Sequence, residues 1–221
     1  MREEHGVVIG TRVLVVENDP FTLTSVVNAL EYQRMDVVGR AASAREALEL
    51  QRETNPTVAL LDLDLGVGPT GIDLAHALRI RQPDIGIVIL STYRDPRLVG
   101  PGVTAPPRGT VYLSKQDVHD FAQVIGSLQL AAETPVARRS TPSAALPSLT
   151  DVQLEVLQGI SEGMSTQAIA EQRNVSVKAV EQTISRLYEV FEVPRDGAHN
   201  QRVRLARAYL QLAGKVEAEG T

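Results

Sequence analysis

The apolar run Val58-Ala59-Leu60-Leu61 stops at Asp62. A short, continuous apolar run of this kind reads as a strand buried on both faces of a parallel sheet. In an open α/β sheet, a carboxylate just past the carboxyl end of such a strand enters the crevice where ligands bind. The pattern recurs along the chain. Glu17-Asn18-Asp19 follow Val13-Leu14-Val15-Val16, Ser91-Thr92 follow Ile87-Val88-Ile89-Leu90, and Lys115 follows Val111-Tyr112-Leu113. Four strand ends therefore bring an acid cluster, an aspartate, a hydroxyl and a lysine to one rim.

Between these runs lie amphipathic stretches. Strands are predicted at Arg12–Val16, Asp36–Ala41, Val58–Leu61, Gly86–Leu90 and Thr110–Leu113. Helices are predicted at Phe21–Gln33 after Asp19-Pro20, at Ala44–Arg52 after the cap Ser43, at Gly71–Arg81, and at Asp117–Ala132. The alternation implies an α/β fold, a doubly wound five-stranded parallel sheet. One unit breaks the rhythm. YRDPRLVGPGVTAPPRG, between Thr92 and Thr110, holds prolines 96, 101, 106 and 107 and glycines 100, 102 and 109. These residues interrupt helical hydrogen bonding, so the fourth helix is degenerate, with room for one short turn at Pro96–Val99.

Residues 134–148, TPVARRSTPSAALPS, have linker composition. The rest reads as four helices. Thr150-Asp-Val-Gln153 is a capping box opening Val152–Ser161. Ser165 caps Thr166–Gln172, Ser176 caps Val177–Phe191, and Asn200–Ala213 is the last amphipathic run. A short helix, a tight Arg173-Asn174-Val175 connection and a longer helix make a helix-turn-helix. The expected organisation is residues 1–133, a linker at 134–148, and an all-α unit at 149–221.

Composition narrows the classes. There is no cysteine, so no disulfide framework or thiolate metal site. No run approaches the length of a membrane span, and MREEHGVVIGT lacks the apolar core of a signal peptide. A cytoplasmic chain is expected. The net charge of −5 argues against broad coating of nucleic acid, though not against a local basic face.

With these residues in place, the chain resembles a two-component response regulator of the NarL/LuxR type over nearly its whole length. Glu17 matches the first acid of the family's receiver domain, Asp62 the phosphoacceptor, Ser91 the switch hydroxyl, Lys115 the invariant cation and Tyr112 the aromatic switch position. Asp64 matches the residue whose backbone carbonyl ligates the metal. In the second half, Leu149-Thr150, Glu155-Val156-Leu157, Gly163-Met164-Ser165, Ile169-Ala170, Val175-Ser176, Val180-Glu181 and Tyr188 stand at LuxR-type positions. The resemblance implies a flavodoxin-like receiver joined to a helix-turn-helix domain. It also implies promoter DNA, a sensor histidine kinase and a second copy of the chain as partners. Mg²⁺ would sit on Glu17, Asn18, Asp62 and the Asp64 carbonyl, allowing Asp62 to act as a nucleophile toward phosphorus.

The sequence also departs from that pattern. Asn18 replaces the second acid, which weakens the metal site unless Asp19 substitutes. The Leu65–Gly71 loop is one residue longer than the family form. The receiver is thus expected to be atypical, either phosphorylated at Asp62 or acting independently of phosphate.

In the long output helix, Lys178, Gln182, Thr183, Ser185 and Arg186 fall on or near one polar face, opposite Ala179, Val180, Ile184, Leu187 and Phe191. The expected DNA contacts are Lys178, Gln182, Thr183 and Arg186, with Gln182 suited to adenine. From Ser148 onward the chain has eight Lys/Arg and ten Asp/Glu, so a single copy should bind DNA weakly. Arg202, Arg204 and Arg207 read either as backbone contacts or as solvated side chains. Val203, Leu205, Ala206, Tyr209, Leu210 and Leu212 serve core or dimer faces. His5, His76, His119 and His199 show no metal-ligand spacing. Two other readings compete with a non-enzymatic regulator. A haloacid-dehalogenase-like phosphatase would use Asp62 and Asp64 but needs further acids after Lys115, where only Asp117 and Asp120 stand. A protein-interaction module that has lost DNA binding is the other.

Overall fold

The computed structural model describes residues 10–99, 103–135, 149–194 and 200–215. The chain divides into two compact units, Met1–Ala144 and Ala145–Thr221. Most of the expected linker, the N-terminal segment, His5 and His199 lie outside the described residues.

The first unit is a parallel sheet of five strands in the order β2-β1-β3-β4-β5. These are β1 (Arg12–Val16), β2 (Asp36–Ala41), β3 (Val58–Leu61), β4 (Gly86–Ser91) and β5 (Val111–Ser114). Its helices are α1 (Pro20–Tyr32), α2 (Ala44–Thr54), α3 (Gly71–Arg81) and α4 (Phe121–Glu133). Among the described residues between β4 and β5, a 3₁₀ turn spans Pro96–Val99, where the sequence leaves room for one short turn. The last receiver helix starts later than its sequence suggests. Asp120 caps it by accepting the Ala122 N–H at 3.0 Å, so residues 117–120 form its approach and not its first turn.

Strand side chains alternate between two cores. Leu14, Val16, Ala59, Leu61, Ile87 and Ile89 join Ala47 of α2 and Ile72, Leu74, Ala75 and Leu78 of α3. Val13, Val15, Val58, Leu60, Val88 and Leu90 join Val27 and Leu30 of α1 and Val124, Leu128 and Ala131 of α4. Each fully buried Leu or Ile contributes about 2 kcal/mol, which makes these layers the main support of the sheet. Tyr93, Val99 and Val103 pack on the α2–α3 side, so part of the irregular segment covers that core. His76 also reaches that segment, with its Nε2 2.9 Å from the Ala105 carbonyl oxygen.

The second unit contains α5 (Asp151–Ser161), α6 (Thr166–Gln172), α7 (Val177–Val190) and α8 (Gln201–Leu212). Thr150 and Gln153 form the capping box expected of α5. Packing of α5 on α7 and α8, and of α6 on α7, buries Leu154, Val156, Leu157, Ile160, Ile169, Val180, Ile184, Leu187, Leu205, Tyr209 and Leu212.

Candidate functional site

Parallel register brings the strand ends together. Val16 pairs with Leu61, and the Asp62 N–H donates to the Val16 carbonyl at 2.8 Å, which sets Glu17 and Asp62 side by side. Leu61 pairs with Ile89, Ser91 pairs with Ser114, and the Lys115 N–H donates to the Ser91 carbonyl at 2.7 Å. Because α3 begins directly beneath this rim, Gly71 cannot be replaced freely. A Cβ there would lie 2.1 Å from the Asp62 carbonyl oxygen.

The centre of the site is a three-residue ion cluster. The Lys115 Nζ lies 2.9 Å from Glu17 Oε2 and 3.2 Å from Asp62 Oδ1. Side-chain exposure is 8% for Glu17, 10% for Asp62 and 28% for Lys115, so the charges interact with little solvent between them. Burial pushes the Asp62 carboxyl above its ordinary range, and the Glu17 charge adds to this, outweighing the pull of Lys115. Burial alone would lower Lys115, but two carboxylates hold it above its ordinary value. Both directions are consistent, because the lysine has two partners and each carboxylate shares one.

The other loop residues have local roles. Asp19 accepts the Thr22 N–H at 2.7 Å and caps α1, and that bond keeps its carboxyl below the usual range. Its N–H also donates to Glu17 Oε1 at 3.2 Å. Asp64 Oδ1 accepts the Gly66 N–H at 3.1 Å. Asn18 is exposed and its amide borders Gly66, where a Cβ would come within 3.2 Å of Asn18 Nδ2. Among the described residues, no three His, Asp or Glu side chains are grouped to hold a metal ion. The oxygen donors present suit Mg²⁺ in kind, but any ion would depend on neutral oxygens beside the Glu17 and Asp62 carboxylates.

Ser91 and Tyr112 are both buried. The Tyr112 hydroxyl donates to the Tyr93 carbonyl at 2.6 Å, and the Tyr93 N–H donates to Ser91 Oγ at 3.1 Å. Sequence reading did not single out Tyr93 or Arg94. Arg94 bonds Gln116 and Asp117, the latter at 2.7 Å. Asp117 thus has an arginine partner and Asp120 caps α4, so the acids a phosphatase would need after the lysine are engaged elsewhere.

In the second unit, Lys178, Gln182, Ser185 and Arg186 are exposed on α7, opposite the buried Val180, Ile184 and Leu187. Thr183 is half-buried and its hydroxyl donates to the Ala179 carbonyl at 3.0 Å, which leaves it at the edge of that face. Arg202 is neither a solvated side chain nor a free backbone contact. Its guanidinium donates to the Met164 carbonyl and, at 3.2 Å, to Thr166 Oγ1, tying α8 to the start of α6. Leu205, Tyr209 and Leu212 face the core, while Val203 is 62% exposed.

A flavodoxin-like sheet with an Asp–Lys–Ser rim, and a four-helix unit built around a helix-turn-helix, define a receiver coupled to a DNA-binding module. Residues 13–116 match the response regulator receiver domain family, and residues 147–197 match the luxR family of bacterial regulatory proteins. The probable transcriptional regulatory protein NarL of Mycobacterium tuberculosis H37Rv is 31% identical over 195 residues, covering 82% of this chain and 88% of that protein. The transcriptional regulatory protein DesR of Bacillus subtilis is 29% identical over 164 residues, covering 72% and 78%. A structure of two RcsB dimers bound to two parallel DNAs shares the fold, with a TM-score of 0.55 and 19% identity over 91% of this chain and 98% of that one. This chain belongs to the NarL/LuxR-type response regulators, a family of DNA-binding transcription regulators. Among the described residues no helix is long and apolar enough to cross a membrane.

Proposed function

We propose that the receiver, residues 1–133, takes a phosphoryl group on Asp62 and that residues 149–221 carry the response to promoter DNA, with 134–148 as linker. The observation behind this is the Lys115 ammonium held between Glu17 and Asp62. A carboxylate oxygen of Asp62 attacks phosphorus. An acyl–phosphate bond forms while the P–N bond of a sensor kinase phosphohistidine breaks, and the histidine nitrogen leaves with the electron pair. Lys115 would face the charge that develops on the phosphoryl oxygens, and Ser91 would donate to one of them. Glu17, Asn18, Asp62 and the Asp64 carbonyl would hold Mg²⁺, which when bound offsets phosphoryl charge. With Asn18 neutral and Asp19 engaged as a cap, that ion is bound weakly.

One observation favours a second reading, in which the receiver works without phosphate. Tyr112 is buried and its hydroxyl is held by the Tyr93 carbonyl, so the chain's own contacts fix it. Intact-mass measurement after acetyl phosphate, with and without Mg²⁺, separates the two. Gain of one phosphoryl unit by the native chain but not by Asp62→Asn supports the first. Absence of any gain, with promoter fragments still retarded, supports the second.

For DNA, α7 enters the major groove, with Lys178 and Arg186 serving phosphate or guanine and Gln182 serving adenine. Two copies, paired through the exposed side of α8 around Val203, read two half-sites. The protein acts where its DNA is, in the cytoplasm. Failure to retard any promoter fragment in either phosphorylation state would leave the interaction-module reading standing.

A further inference from the structure

The first turn of α8 is held differently from the rest of that helix. Leu205, Tyr209 and Leu212 are buried and seat the later turns in the core shared with α5. Residues 201–204 include no buried side chain: Val203 is exposed and the other three are half-buried. Polar bonds fix this turn instead. Asn200 caps it, accepting the Arg202 N–H at 3.0 Å. Gln201 Nε2 donates at 3.2 Å to the carbonyl of Pro194, in the segment that leaves α7. The Arg202 guanidinium donates to the Met164 carbonyl and to Thr166 Oγ1, where α6 begins. Two adjacent side chains thus tie one turn to the entry of the first helix of the helix-turn-helix and to the exit of the second. That motif is itself firmly seated. A Cβ on Gly159 of α5 would lie 2.9 Å from Ile169 Cγ1 of α6, and Arg173, at the far end of α6, bonds Glu155 of α5 at 2.8 Å.

We propose that Gln201 and Arg202 are positioning residues that set the half-site spacing this protein reads on DNA. The inference rests on the reading of α7 in the major groove and of pairing through α8 around Val203. Its physical basis is the difference between the two kinds of contact. Apolar burial is non-directional, so it holds α8 against α5 without fixing the angle of its first turn. Hydrogen bonds are directional, and a guanidinium that serves two acceptors fixes orientation as well as distance. Val203 follows Arg202 directly, so the turn that presents the pairing contact is the turn tied to the reading helices. With that turn fixed, pairing leaves the second copy of α7 one place to fall on the duplex. One added base pair moves the second half-site by about 3.4 Å and turns it by about 35°. A rigid pair cannot follow that change, and a pair with a loosened first turn can.

The test uses the full chain and synthetic duplexes. A half-site sequence is taken from random DNA selected by retardation with the native protein. It is then placed once, twice at the selected spacing, or twice with one base pair added. The native protein should bind the selected spacing about tenfold more tightly than the lengthened one. In Arg202→Met and Gln201→Met that ratio should fall to about threefold or less, while binding to the single half-site changes by no more than about twofold. Arg202→Lys, which keeps the charge and loses the fork, should lower the ratio as well. Loss of a cation alone weakens every duplex alike and leaves the ratio unchanged, so the ratio separates positioning from charge. If the native protein prefers the selected spacing and the variants keep its ratio, the proposal is overturned and the pairing reading stands. If the native protein binds one and two half-sites alike, the pairing reading fails and the proposal fails with it. Should Arg202→Met not fold, Gln201→Met, which alters an exposed bond, decides the matter.

Discussion

Asp62 and Lys115 are both shifted upward, for different reasons, and each shift has a signed consequence for stability. Native Asp62 keeps its proton to higher pH than the unfolded chain does. Between the ordinary carboxylate value of 3.8 and the raised native value, the folded state binds more protons, so Asp62 makes stability fall as pH rises through that window. Asp62→Asn should therefore melt at a higher temperature than the native chain at neutral pH, with the gap closing below 3.8; thermal melts across pH check this. Lys115 acts in the alkaline range. Its contribution is complete below 10.5 and is lost as pH passes its raised native value. Replacing it with alanine leaves two neighbouring carboxylates without their cation. Urea unfolding of Lys115→Ala should show a loss of about 3 kcal/mol, part of it recovered by adding Asp62→Asn. Asp62, Ser91 and Lys115 were legible in the sequence because each ends or follows an apolar run, and parallel register then fixes them on one rim. Tyr93 was not, because its role depends on the path of a backbone with no periodicity. Arg202 was equally opaque, since the carbonyl it bonds lies at Met164, 38 residues away.

At the level of elements, the β3–α3 junction is tightly constrained and α4 is not. A Cβ on Gly71 would meet the Asp62 carbonyl oxygen at 2.1 Å, whereas one on Gly126 of α4 meets nothing within 4 Å. Gly71→Ala should cost about 2 kcal/mol and lower phosphoryl uptake, because the backbone that moves is that of Asp62. Gly126→Ala should stabilise by about 0.5 kcal/mol and leave uptake unchanged. Denaturant unfolding with intact-mass readout tests the pair. Most element boundaries were readable because caps such as Ser43, Thr70, Thr150, Ser165 and Ser176 announce themselves chemically. The start of α4 was misread because Asp117 looks like an opening acid, yet it bonds Arg94 across 23 residues. Proline and glycine content fixed the extent of the turn after β4, but not that Tyr93, Val99 and Val103 would cover the core there.

For the whole molecule, DNA affinity must come from few cations, as the output half has more acids than bases. On the outward face of α7, Glu189 lies one turn beyond Arg186 and is exposed like it. Arg186→Ala should weaken binding across sequences and flatten the salt dependence by about 1 in slope. Glu189→Gln should strengthen non-specific binding. Retardation assays over a salt series measure both. If two copies bind together, a charge placed on the exposed α8 face by Val203→Asp should reduce the slope by about half, because it removes one of two half-sites. The two jobs of the β1–α1 loop are divided between neighbours: Asp19 caps the helix, while Asn18 stands exposed beside Gly66. Asparagine and aspartate codons differ by one base. A lineage carrying this loop is therefore a single mutation from a more acidic pocket, and that step would leave the start of α1 intact. Under the proposed Mg²⁺ site, the strength of metal binding would be a trait that one base change can alter while the scaffold around it stays the same.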